Sequence, residues 1–343
     1  MTMRSAFCLG LALAAATFPR PAGAVEAAQC VKAERLLDRP LIDGALDPSV
    51  TDNVQGPSLI RVPDWVKGRL GRYYLYFASH KGDSIRLAYA DSLTGPWKIH
   101  PGGALALDKS LYPTALTGFT AEEAGQDDAK PHIASPDVHV DEANHRIILY
   151  YHGIVAPRDQ QTRVAISTDG VNFTPRPELL GPSYFRVFRH GDHSYALGMP
   201  GLLFRSKDGL AGFERGPALF GRDQRHTAVL KRGEELFIFW TRAGDAPERI
   251  YLSRVNIGRD WQQWKASGPV EILRPAYPWE GSDAPVVPSR RGTGFGHLNQ
   301  LRDPAIFEEE GRTYLLYALA GESGIGIARL SFDNKACAAS PPP

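Results

Sequence analysis

A phrase repeated along the chain limits the fold more than any other feature. A polar or proline-bearing knuckle leads into an apolar strand. A Gly or charged turn follows, then a Tyr/Phe-rich strand, then a strand ending in Ser or Arg. The first copy reads GPSLIRV (56–62), RYYLYFAS (72–79) and SIRLAYA (84–90). The second reads SPDVHV (135–140), RIILYYHG (146–153) and TRVAIS (162–167). SYFRVF (183–188), HTAVLK (226–231) and DPAIFEE (303–309) open three more. Each copy is a small antiparallel sheet, and repeats of this kind bury their faces by stacking on one another.

Segments such as YYLYFA and LFIFW are apolar at successive positions rather than alternate ones. Such strands are covered on both faces. No long stretch holds a helical period. The sequence therefore predicts an all-β chain, a five-bladed β-propeller of four-stranded antiparallel blades. GPWKI (95–99), NFTP (172–175), GFERG (212–216) and GPVEIL (268–273) are the expected outer strands. Blade five lacks one after Leu330, and VKAERLL (31–37) is placed to supply it.

Arg4, the apolar run from Ala6 to Thr17 and the Ala22-Gly23-Ala24 site read as a secretory leader over residues 1–24. That apolar run is too short for a membrane span. The expectation is a periplasmic or secreted protein with one propeller domain over 25–337 and a disordered tail over 338–343. Beyond the leader's Cys8, the cysteines are Cys30 and Cys337. Export favours a disulfide joining the two chain ends over two unpaired thiols. The 39 Lys and Arg balance 38 Asp and Glu without a basic stripe, which argues against nucleic acid as a partner. A monomer is expected. No metal-ligand spacing is present, no cofactor is called for, and a structural calcium has no support in the sequence.

In a propeller the first strand of each blade lines the central channel, so the knuckles converge. They bring Asn53, Gln55, Asp137, Tyr184, Arg186, Arg225, His226, Arg302 and Asp303 toward one pocket. Two insertions flank them. Residues 100–133, with an acidic stretch at 122–128, read as a flexible flap. Residues 274–301, with Trp279, Glu280 and Asp283, read as an ordered loop near a site. The hairpin from Arg242 to Glu248 reads as a salt-bridged surface loop, and His139 and His145 as surface groups.

IASPDVHVDEANHRIILYYHG (133–153), TGPW (94–97), the segment from Glu280 to Pro285 and the segment from Arg302 to Phe307 carry a resemblance. They resemble segments of the five-bladed β-propeller glycoside hydrolases, chiefly family 43, with echoes of families 32, 68 and 130. The resemblance implies a hydrolase of a poly- or oligosaccharide. It places Glu280 at the acid glutamate and Asp303 at a carboxylate that stabilises the transition state. Where family 43 carries its base Asp, this chain has Asn53 and Gln55.

The chemistry asks for one carboxyl kept protonated and one kept ionised. The expected set is Glu280 as acid, Asp137 as base and Asp303 as the orienting group. His226, Arg186 and Arg302 are expected to bind hydroxyls or a uronate, and Trp279 to stack on a sugar ring. Two alternatives stay open. One is a polysaccharide lyase using His226 or Tyr184 with an arginine. The other is a glycan-binding propeller without catalysis.

Overall fold

The computed structural model describes residues 30–50, 53–80, 82–118, 130–339 and 342–343. The leader and the acidic stretch at 122–128 lie outside the described residues. Five antiparallel sheets stand around a central axis. Their inner strands are Gln55–Arg61, Ile133–Asp141, Arg186–His190, Gln224–Arg232 and Arg302–Glu309. The outer strands Lys98–Ile99, Thr174–Pro175, Glu214–Ala218 and Val270–Leu273 fall within the expected segments or within two residues of them.

Blade five takes its outer strand from the start of the chain. Val31–Arg35 pairs antiparallel with Gly324–Phe332, Val31 opposite Phe332. A Cys30–Cys337 disulfide joins the ends on that seam. Asp333 then caps a short helix, Asn334–Ala339, by accepting from the Lys335 and Ala336 amides. Ala338 and Ala339 are the last two residues of that helix.

The core lies between blades. Every residue of the strand Tyr73–Ala78 is buried. Its Tyr74 and Tyr76 pack with Leu149 and Tyr151 of blade two. Leu75 and Phe77 pack with Leu316 and Ile327 of blade five. Successive side chains thus face opposite neighbours, which is why alternation with polar residues is missing from these strands.

Side chains also cross every seam between inner strands. Ser58 Oγ accepts from the Val138 amide at 2.9 Å. Asp137 Oδ2 accepts from the Val187 amide at 2.8 Å. Arg186 Nε donates to the Thr227 carbonyl at 3.0 Å. His226 Nδ1 lies 2.5 Å from Asp303 Oδ1, and the Gly56 amide donates to Asp303 Oδ2 at 3.3 Å. This belt fixes the blades around the axis where inner-strand backbone groups have no neighbouring strand to pair with.

The first insertion is ordered over much of its length, correcting the flap expectation for its described part. Leu105–Ala106 pairs with Ser84 and Ile85. Tyr112 is buried, and its hydroxyl donates to the Gln161 carbonyl at 2.6 Å. The apolar side chains Leu105, Leu107 and Tyr112 explain this, because they join the core between blades one and two.

Candidate active site

Four of the five inner strands are interrupted near their start. Register shifts fall between Gln55 and Ser58, Ala134 and Asp137, Gln224 and Thr227, and Arg302 and Ala305. Inside three of these bulges Gly56, Ser135 and Asp303 take left-handed backbone, with φ of 61°, 51° and 45°, and Tyr184, just before the inner strand of blade three, does so at 63°. Outside glycine such a conformation costs about 1–2 kcal/mol per residue. Bulges of this kind re-aim side chains and cluster beside functional sites. Here they gather the knuckle residues at one end of the channel.

Two carboxylates anchor that cluster. Glu322 Oε2 accepts from Asn53 Nδ2 at 2.8 Å and lies 2.9 Å from His80 Nδ1. Its Oε1 accepts from Arg302 Nη1 at 2.8 Å. Asp303 is held by His226 and by the Gly56 amide. A third carboxylate, Glu248, lies 3.3 Å from Arg225 and 3.4 Å from Arg302. Glu248, Asp303 and Glu322 are all fully buried, as are Asn53 and Gln55.

Aromatic and imidazole rings complete the circle. Tyr184 lies 4.4 Å from His226 and 4.7 Å from His152, centroid to centroid. His132 stands 6.0 Å from His152 and 5.6 Å from His80. The loop at 290–292 straps the cluster: Arg290 and Gly292 carbonyls accept from Arg225, and Gly292 also accepts from Arg302. A side chain at Gly294 would collide with the Arg302 guanidinium, its Cβ only 2.7 Å from Nη1.

The charges sort into a pattern. Burial pushes the Glu322 carboxyl up, but His80, Arg302 and Asn53 outweigh it and hold the group well below the ordinary range. Burial likewise opposes ionisation of Asp303, and the facing His226 overcomes it. For His80, burial disfavours the cation, yet Glu322 wins and raises its pKa. For His226, burial is the stronger effect and outweighs Asp303, so its pKa falls. Burial and three neighbouring histidines keep His152 neutral. Burial, with Asp303 and Glu322 nearby, keeps the Tyr184 phenol protonated.

His226 Nδ1 lies 2.5 Å from the Asp303 carboxylate and 3.2 Å from the Asp303 amide nitrogen. The Asp303 amide donates toward Nδ1, whereas the close Asp303 Oδ1 is out of line for a hydrogen bond. A proton on Nδ1 would leave Nε2 as the base. His80 has its Nδ1 on Glu322, which favours its imidazolium form. Among the described residues, no three His, Cys, Asp or Glu side chains are arranged to hold a metal ion.

The structure brings Asn53, Gln55, Tyr184, His226, Arg302 and Asp303 together. It places four other expected residues elsewhere. Glu280 is fully buried, with Oε1 and Oε2 2.7 and 2.6 Å from Arg35 nitrogens. It also accepts from the Tyr317 hydroxyl at 2.9 Å and the Ala276 amide at 2.9 Å. Saturated this way, it anchors the 274–301 loop to blade five. Asp137 is spent on the belt: besides the Val187 amide, its Oδ2 lies 2.8 Å from His139 Nε2. Arg186 is buried in the same belt, with Nη1 donating to the Pro136 carbonyl at 2.7 Å. Trp279 stacks on Tyr277 with rings 5.8 Å apart and 7° from parallel.

His80, His132, His152, Glu248 and Glu322 were not among the expected site residues. His132 immediately precedes the inner strand of blade two, and the others lie near the knuckle-side end of a blade's second strand or in the hairpin that follows it. The signal lay in the repeat: AGDAPE (243–248) and AGES (320–323 by alignment of the Gly at 321) put an acid at matching hairpins of blades four and five. The hairpin ending at Glu248 is thus not a surface loop at that residue.

No family model matches the sequence. An uncharacterized protein, R118, of Acanthamoeba polyphaga mimivirus is 37% identical over 312 residues, covering 82% of this chain and 85% of that protein. The chain belongs to the R118 family. Solved structures share its fold. CoXyl43, a GH43 β-xylosidase/α-arabinofuranosidase from a compost microbial metagenome, superposes with a TM-score of 0.55 at 13% identity, covering 88% of this chain and 96% of that one. The GH43_1 enzyme from Xanthomonas citri gives 0.56 at 12% identity, covering 87% and 91%. An exo-1,5-α-L-arabinanase from a bovine ruminal metagenomic library gives 0.52 at 9%, covering 82% and 95%. The R118-family propeller is therefore the five-bladed fold of family 43 glycoside hydrolases. No helix among the described residues is long and apolar enough to cross a membrane.

Proposed function

We propose that the protein hydrolyses glycosidic bonds of an oligo- or polysaccharide at the knuckle end of the channel. The observation that carries this reading is the Asp303–His226 pair, buried beside Tyr184, His80 and Arg302 on a fold shared with glycosidases. Asp303 orients His226, and the neutral imidazole takes a proton from the attacking water. The His80 imidazolium gives a proton to the leaving oxygen, a task carboxylic acids perform in most glycosidases. Neither Asp303 nor Glu322 is held protonated, so neither carboxyl suits that donor role. Arg302 and Asn53 keep Glu322 ionised, which keeps His80 charged.

The Cys30–Cys337 disulfide and the leader at 1–24 support export to the periplasm or beyond. Reducing-end release from arabino- and xylo-oligosaccharides, and then from a wider glycan panel, tests the reading. Hydrolysis lost in Asp303→Asn is expected; hydrolysis unaffected by that change overturns the assignment.

One observation favours a lyase as the second reading. Tyr184 stands between His152 and His226 as a protonated phenol, a suitable acid for a leaving oxygen while His226 removes a proton beside a uronate. A lyase leaves an unsaturated sugar that absorbs in the ultraviolet; a hydrolase does not.

A further inference from the structure

The candidate site is shut off from solvent. Asn53, His80, Tyr184, His226 and Asp303 are each no more than 6% exposed. A saccharide reaches such groups only if something beside them moves. The segment lying against this cluster reads RRGTGFG (290–296), with glycine at 292, 294 and 296.

This segment crosses the knuckle end from blade to blade. At one side Ser289 is fixed to the blade-four hairpin. Its amide donates to the Asp245 carbonyl at 2.9 Å, and its carbonyl accepts from the Gly244 amide at 3.1 Å. At the other side the Gly296 carbonyl accepts from Ser323 Oγ at 2.9 Å, and the Leu298 amide donates to the Ala320 carbonyl at 3.2 Å. Between these anchors the strap rests on two guanidiniums. Arg225 donates to the Arg290 and Gly292 carbonyls at 2.7 and 2.9 Å, and Arg302 donates to Gly292 at 3.0 Å. Arg291 reaches across to blade three, where its Nη1 lies 3.5 Å from Met199 Sδ.

These contacts suit a strap that lifts. Arg225 keeps Glu248 as a partner when the carbonyls leave, and Arg302 keeps Glu248 and Glu322. Water replaces the guanidiniums at the freed carbonyls, so lifting strands no buried charge. Gly292 and Gly296 have φ of 98° and 81°, and glycine crosses between such conformations at little steric cost. Segments held by few apolar contacts open at the low end of a protein's stability range, from which lids are drawn.

We propose that residues 290–296 form a lid, closed in this structure, whose opening admits ligand to the Asp303–His226 pair. The inference rests on the carbohydrate reading for what enters. The opening belongs to the chain itself and is measured without a saccharide.

The probe is diethyl pyrocarbonate, which modifies accessible neutral imidazoles, applied to the full-length protein with each modified histidine located by mass spectrometry. Exposed His145 serves as the internal reference. His226 should react at least about tenfold more slowly than His145, at a rate set by local opening. That rate should stay flat through low urea, because lifting a strap exposes little surface. Gly294→Val should raise it about tenfold, the worth of one charge-assisted hydrogen bond in the latch. Even a Cβ at this position lies 2.7 Å from Arg302 Nη1, and Arg302 is pinned below by Gln300 and Glu322, so the strap must rise. Arg291→Ala releases the blade-three side from an exposed position and should act in the same direction. A thermal melt on each variant reads its folding. Wild-type His226 as reactive as His145, a rate that tracks global unfolding in urea, or no acceleration in a folded variant overturns the proposal. Reducing-end release is followed separately. Gated His226 without cleavage of any glycan counts against the hydrolase and leaves the lid standing; cleavage with a His226 rate that neither variant changes does the reverse.

Discussion

The two ends of the central channel are built from the same five inner strands and differ almost completely. At the knuckle end, Asn53, Gln55, His226, Arg302 and Asp303 are buried and bonded to one another across blades. At the opposite mouth a cavity of about 680 Å³ is walled by Val138, Val140, Val187, Val229 and Ile306, with charged residues such as Arg61 and Lys231 around it. The backbone accounts for the split. The bulges near four of the five strand starts push polar side chains inward, whereas the regular strand beyond them offers β-branched residues suited to a pleated surface. Burying an arginine as deeply as Arg302 costs several kcal/mol before its partners offset it. Such a cost is the reason the proposed chemistry is placed at that end.

The largest effect expected from this contrast is catalytic. Asp303→Asn keeps the shape of the knuckle but lets the side chain donate, which misplaces the His226 proton. Activity should fall about 10²- to 10⁴-fold, the usual worth of an oriented acid–base group. Full activity in this variant would remove the distinction between the two ends.

Glu280 sharpens the comparison from outside the channel. It is as buried as Asp303 but serves Arg35, Tyr317 and a backbone amide. Glu280→Gln should cost about 2–3 kcal/mol of stability, since a charge-assisted pair is lost while Arg35 still reaches water. The folded fraction should keep its specific activity. Urea unfolding and activity measured on the same preparation separate these outcomes; lost activity at unchanged stability would restore Glu280 as the acid.

These two residues also show what was legible from sequence. The blades, the ring closure by Val31–Arg35 and the convergence of the knuckles follow from strand periodicity, which is local. Asp303 was readable because its knuckle starts an inner strand. Glu280 misled because a loop's path depends on long-range partners, here Arg35, 245 positions away. Asp137 differs: it lies mid-way along a channel strand, just past the bulge, and its carboxylate turns to the neighbouring strand's amide. Glu248 and Glu322 were passed over because a hairpin acid resembles a solvated turn until the arginine it faces is known.

The pH response gives a smaller, graded test. His226 must be neutral to act as base, and its pKa is pushed below 6.5, so the acid limb of activity should lie under that value. His80 must be charged to act as acid, and its pKa is pushed above 6.5, so the basic limb should lie over it. The plateau therefore spans 6.5, and His80→Asn should abolish the basic limb along with much of the rate. Stability carries the same signs. The raised His80 pKa contributes stability that is present below 6.5 and is lost as pH rises through the folded value. The depressed Glu322 pKa contributes stability that is present above 4.5 and is lost as pH falls through its folded value. Unfolding measured across pH should show both slopes in wild type, and the alkaline one should flatten in His80→Asn.

The smallest expected effect lies at the opposite mouth, and it tests the asymmetry by its absence. Lys231 is half-buried beside the apolar cavity, on the same strand as His226 but beyond the bulge. Lys231→Ala removes a charge and a flexible stem without opening the core or stranding a buried partner. Such a change is expected to alter stability by no more than about 0.5 kcal/mol. Turnover and the pH limbs should stay where they are, because nothing at this mouth contacts the Asp303–His226 pair. A loss of activity beyond about tenfold, equivalent to 1.4 kcal/mol in the barrier, would mean that the far mouth takes part in the reaction. The channel would then work along its whole length, and the bulges would divide its shape without dividing its function.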